Sequence, residues 1–169
     1  MVFKSNKGQV YIFVAILMSV FLTGMVLLNF SYNKHNDRNN GIVQNYKNEL
    51  YYVMNYALYD SKNAVDYMEN YTIEFTETFK GRTGSELQVL LLIYDKNSTH
   101  IINRCKQNIS LKTSWNKINV AQEDSAKIVG RPNFTTTVAG QTYSFEQNNE
   151  PYKGIITIKD YSQVYVSRI

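Results

Sequence analysis

The chain has 169 residues, with 18 Lys and Arg against 14 Asp and Glu, a net charge of +4 and a single cysteine, Cys105. Its cations are interspersed with acids rather than blocked, which argues against a nucleic-acid surface, and one cysteine excludes an intramolecular disulfide. This length leaves room for one modest hydrophobic core beside an anchoring segment.

The first element is the most informative. Residues 1–9 (MVFKSNKGQ) carry Lys4 and Lys7 and no acid, and an uncharged apolar run, Val10–Phe30, follows. As a helix those residues would extend roughly 30 Å, the thickness of a hydrocarbon core. Tyr11 and Tyr32 stand near its two ends, where an aromatic belt is expected. The run therefore predicts a transmembrane helix over residues 9–32, with membrane lipid around it. Cations weigh more heavily before the run than after it, so the N-terminus is expected in the cytoplasm and the remainder outside the cell. The run is longer than a secretory h-region and no Ala-x-Ala site follows, which favours a retained anchor over a cleaved signal.

Residues 33–41 contain nothing apolar and are rich in Asn, which disfavours helix interiors. They read as a polar stalk or hinge, with Gly41 as the break. From Ile42 a helical period returns. Val43, Tyr46, Leu50, Val53, Met54, Ala57, Ala64, Met68, Tyr71 and Phe75 recur at spacings of three and four. The pattern predicts one long amphipathic helix over 42–80, stopped by Gly81-Arg82-Thr83-Gly84. Its stripe must be buried against a sheet of its own domain or against neighbouring copies.

From residue 85 the period shifts toward two. Leu87–Tyr94 reads as a strand apolar enough to be buried on both faces. Asp95-Lys96-Asn97-Ser98 is turn chemistry, and His100–Arg104 and Asn108–Lys112 read as short strands. Residues 113–132 are ambiguous, with a short helix around Ala121–Lys127 as one reading. Thr135–Val138 and Thr142–Glu146 flank the turn Ala139-Gly140 as a hairpin. Gly154–Lys159 and Ser162–Arg168 complete the set, the last with one wet face. The expected fold class is α+β: an N-terminal transmembrane helix, a long amphipathic helix, and a mostly antiparallel, sandwich-like β-rich head over 85–169. Residues 42–169 form the exported domain.

No nucleotide-binding, metalloprotease, thiol-redox or nucleophile-elbow motif occurs. The two histidines, His35 and His100, lack metal-ligand partners at useful spacing. His100 and Cys105 would lie on opposite faces of one strand. Glu74 with Glu77 and Glu123 with Asp124 read as solvated faces, and Trp115 as a core residue. No catalytic, metal or cofactor residue is expected. Five Asn-x-Ser/Thr triplets occur. Asn29 lies in the anchor; Asn70, Asn97, Asn108 and Asn133 fall on the exported side and are candidate glycosylation acceptors.

Lys7-Gly8-Gln9, directly ahead of an apolar helix, resembles the class III signal peptide of archaeal type IV pilin-like proteins. The resemblance implies a prepilin peptidase cutting between Gly8 and Gln9 and removing residues 1–8 as a leader. It also implies self-association through the N-terminal helix, alongside other pilin-like subunits, in a surface filament. Where many pilins carry Glu at the fifth mature position, this chain has Phe13. Three functions follow in order: a pilin-like structural subunit of a filament or adhesion appendage; a single-pass surface protein whose β-rich domain binds a partner or surface; and an anchored enzyme or complex subunit.

Overall fold

A computed structural model describes residues 7–60, 62–83, 85–146, 148–160 and 163–169; the side chains of 7–13, 29–36, 82, 83, 160 and 163 lie outside that description. Among the described residues, two helices and nine strands follow in chain order. The helices are α1 (Lys7–Tyr59) and α2 (Ala64–Thr83). The strands are β1 (Glu86–Tyr94), β2 (Ser98–Asn103), β3 (Ile109–Lys112), β4 (Lys117–Val120), β5 (Asp124–Val129), β6 (Phe134–Val138), β7 (Gln141–Phe145), β8 (Tyr152–Asp160) and β9 (Gln163–Arg168). The chain divides into two compact units, the second being Gly41–Ile169.

The second unit is a head of three layers. Five strands form one antiparallel sheet in the order β5-β2-β1-β8-β9, and four form another in the order β4-β3-β6-β7. β1 sits at the centre of the larger sheet, and its apolar run serves both sides. Leu87, Val89, Leu91 and Ile93 face the helices, where they meet Tyr46, Leu50, Met54 and Met68. Leu90, Leu92 and Tyr94 face the smaller sheet, where they join Ile109, Leu111, Phe134 and Phe145. Alternation along one strand thus feeds two separate cores, which is why this run has no polar face. The class is α+β with two antiparallel sheets.

Five expectations are corrected. Among the described residues no helix is long and apolar enough to cross a membrane, so the transmembrane helix over 9–32 is not found. The polar stretch 33–41 is not a break: α1 runs through it and past Gly41.

The single helix over 42–80 is two helices folded back on each other. α1 ends at Tyr59, and the Asn63 side chain accepts from the Val65 amide at 3.1 Å to cap α2. The two then pack antiparallel, with Tyr56 against Tyr67 at one end and Tyr46 against Phe75 at the other. Finally, the short helix around 121–127 is replaced by β5, preceded by Glu123 at φ 54°. β5 pairs with β2, and Ala126 and Ile128 turn toward the inter-sheet core while Lys127 and Val129 face solvent. The last strand differs in one respect: Tyr165 packs on the helix-side core and Val166 on the inter-sheet core, so both its faces are partly covered.

Candidate assembly surface and modification sites

Residues 14–28 of α1 carry no charge. Ile16, Leu17, Met18 and Val26, which at about 100° per residue point to different sides of the helix, are exposed, Val26 by 66%. The polar side chains within the stretch make no demand on a neighbour. Ser19 Oγ donates to the Ala15 carbonyl at 2.9 Å, and Thr23 Oγ1 to the Ser19 carbonyl at 2.8 Å. A helix apolar on every side is one that other apolar surface must cover.

Gly8 and Gln9 stand in the first turn of α1, immediately after Lys7. Their side chains, and that of Phe13, lie outside the described residues.

All four candidate asparagines are exposed: Asn70 on α2, Asn97 in the β1–β2 turn, Asn108 just before β3 and Asn133 just before β6. The hydroxyls that complete the triplets differ. Thr72 is fully buried and donates to the Met68 carbonyl at 2.7 Å; Thr99, also buried, donates to the Gly130 carbonyl at 2.8 Å. The Ser110 hydroxyl is buried too. Thr135, which completes the triplet at Asn133, is half-buried. An enzyme acting on the folded head therefore has best access at Asn133. The sequence pattern weighs the four equally, because burial of the third residue is set by tertiary packing. Asn108 is further tied down, its side-chain oxygen accepting from the Gln122 amide at 3.0 Å.

Among the described residues no cluster of His, Cys, Asp or Glu could hold a metal ion. Cys105 lies in the inter-sheet core, and burial pushes its thiol up to about 12. His100 contacts the Ser98 hydroxyl at 3.3 Å and is held below the usual histidine range by desolvation and by Lys127. Trp115, read from sequence as core, is 83% exposed in the turn between β3 and β4. That turn is held by Thr113 Oγ1, which accepts from the Asn116 amide at 2.9 Å.

Sequence reasoning also missed an aromatic stripe on the outer side of α1. Tyr52, Tyr56 and Tyr59 are all exposed, Tyr59 by 91%. Their spacing of four and three was visible, but the same spacing describes a core stripe, and only packing tells them apart. Lys62 lies 5.9 Å from the Tyr56 ring centroid and 5.4 Å from that of Tyr67, and pairs with Asp60 at 2.5 Å.

The fold of the head is a double antiparallel sheet covered on one side by helices, and residues 14–28 of α1 are bare and apolar. The chain matches no known family model, no curated protein and no solved structure.

Proposed function

We propose that the protein is a pilin-like structural subunit of an extracellular filament. Residues 14–28 pack against the same segment of other copies, and the head is displayed outward. The observation that carries this reading is the uncharged segment with its apolar side chains exposed all round. Covering one such Leu, Val or Phe side chain stabilises by about 1.5–3 kcal/mol, so a bundle of these segments has ample driving force. The Lys7-Gly8-Gln9 resemblance supports the same reading by supplying a processing point, with a prepilin peptidase as the partner that acts there. Asn133 is then the best-placed acceptor if the filament is glycosylated.

The test places a charge in the segment. Phe21→Glu buries a carboxylate in any apolar bundle, at a cost that abolishes assembly. Val129→Glu, at a head position 94% exposed, serves as the control. Electron microscopy of surface filaments labelled through the head is expected to find the Val129→Glu chain in filaments and the Phe21→Glu chain absent. Filaments containing both chains equally would overturn the proposal.

A second reading, a surface protein whose head binds a partner, is favoured by the exposed Tyr52, Tyr56, Tyr59 and Trp115, residue types enriched at interfaces. It requires no association through residues 14–28, and the same pair of variants separates the two.

A further inference from the structure

The head contains a cleft of about 290 Å³ that the filament reading does not use. It lies where the C-terminal half of α2, the start of β1, the β2–β3 connection and the residue preceding β5 meet, and Arg104 stands in its lining. The guanidinium of Arg104 is half committed. Its Nη1 donates to the Glu123 carbonyl at 2.9 Å, whereas its Nε–H is buried with no acceptor. Glu123 adopts a left-handed φ of 54°, a conformation that costs a non-glycine residue free energy and here accompanies a carbonyl turned to that Nη1.

With Nη1 taken, the guanidinium edge that remains is Nε and Nη2, whose two N–H bonds run parallel. That fork matches the two oxygens of a carboxylate. One lining acid is already paired. Glu86 pairs through Oε1 with Lys106, and its Oε2 accepts from Gln88 Nε2 at 3.3 Å. A buried donor without an acceptor is costly to leave unmet, and the cleft volume lies at the small end of ligand sites.

We propose that this cleft binds a carboxylate group, held side-on by Nε and Nη2 of Arg104. The lining sets three carboxylates, Glu77, Glu86 and Glu123, against three cations, Lys80, Arg104 and Lys106, so it offers no excess positive charge for a dianion such as phosphate and leaves a singly charged group as the better fit. The carboxylate belongs either to a free small molecule or to an acidic side chain of a peptide.

The full chain, kept in solution with a non-ionic detergent, is titrated while the Arg104 Nε–H resonance is followed by NMR. Acetate probes the free carboxylate, a blocked peptide with a single Glu probes the side chain, and inorganic phosphate probes a generic anion. The resonance is expected to shift saturably with acetate or with the peptide and to respond weakly to phosphate. The probe that saturates at the lower concentration identifies the source. Arg104→Lys keeps the charge and loses the fork, so it should weaken binding by about tenfold. An Nε–H resonance that ignores both carboxylates, or that moves equally with phosphate, would overturn the proposal. Because the wild-type resonance decides this by itself, the result stands even if the variant fails to fold.

Discussion

Tyr46 shows how much of the head rests on single polar contacts inside apolar surroundings. Its ring is fully buried between α1, α2 and β1, and its hydroxyl lies 2.8 Å from Thr72 Oγ1. Since Thr72 spends its own proton on the Met68 carbonyl, the Tyr46 hydroxyl is the donor. The two halves of this pair are unequal. Thr72→Val leaves a buried tyrosine hydroxyl without a partner and should cost about 1–3 kcal/mol. Tyr46→Phe leaves Thr72 still bonded to Met68 and should cost only about 0.5–1.5 kcal/mol. Urea unfolding of both variants checks the order; equal or reversed losses would show that the hydroxyl is not the donor. Cys105 makes a second prediction. Burial pushes its thiol up to about 12 in the folded head, from an ordinary value of 9.0. The unfolded chain therefore loses this proton first, and stability falls as pH rises across that window. Cys105→Ala should make the decline shallower, while Tyr94, also pushed up to about 12 by burial, preserves part of it. Unfolding free energies measured at several alkaline pH values give the slope directly.

Among the elements, β1 was legible in the sequence because nothing in Leu87–Tyr94 has to face water. The run of apolar residues is the direct imprint of two cores on one strand. The β6–β7 hairpin was legible for a different reason. Ala139 and Gly140 both adopt positive φ, at 50° and 78°, the pair of conformations a tight hairpin turn requires. The break between α1 and α2 was not legible. Asp60, Lys62 and Asn63 are tolerated in helices, and the apolar stripe resumes in phase beyond them, so periodicity bridges the gap; the capping role of Asn63 was the available signal. β5 was missed because its pairing with β2 overrides a weak local helical preference. The strand pair β1–β8 carries a prediction of its own. Gly154 lies opposite Leu91, and a Cβ there would come within 2.5 Å of the Leu90 carbonyl oxygen and 2.9 Å of Ile169 Cδ1. A backbone carbonyl at the centre of a sheet cannot move aside. Gly154→Ala should therefore cost about 1–3 kcal/mol through overpacking, readable as a lowered thermal midpoint. An unchanged midpoint would mean the sheet yields there.

For the whole molecule, the head builds its own apolar cores, whereas residues 14–28 leave their apolar side chains bare. Unit Gly41–Ile169 buries two apolar cores around one sheet. Residues 14–28 expose their apolar side chains with their hydroxyls already bonded within the helix. The apolar character of that segment could be read from the sequence, and so could the Lys7-Gly8-Gln9 junction. The Arg104 cleft could not, because Glu86, Arg104 and Glu123 lie at the ends of β1, β2 and β5 and are brought together only by the pairing of those strands. The reading of the protein as a processed, pilin-like subunit therefore turns on its N-terminus. Mass spectrometry of the native protein recovered from its host should find the mature chain beginning at Gln9. A chain that still begins at Met1, or that begins far from Gln9, would contradict it.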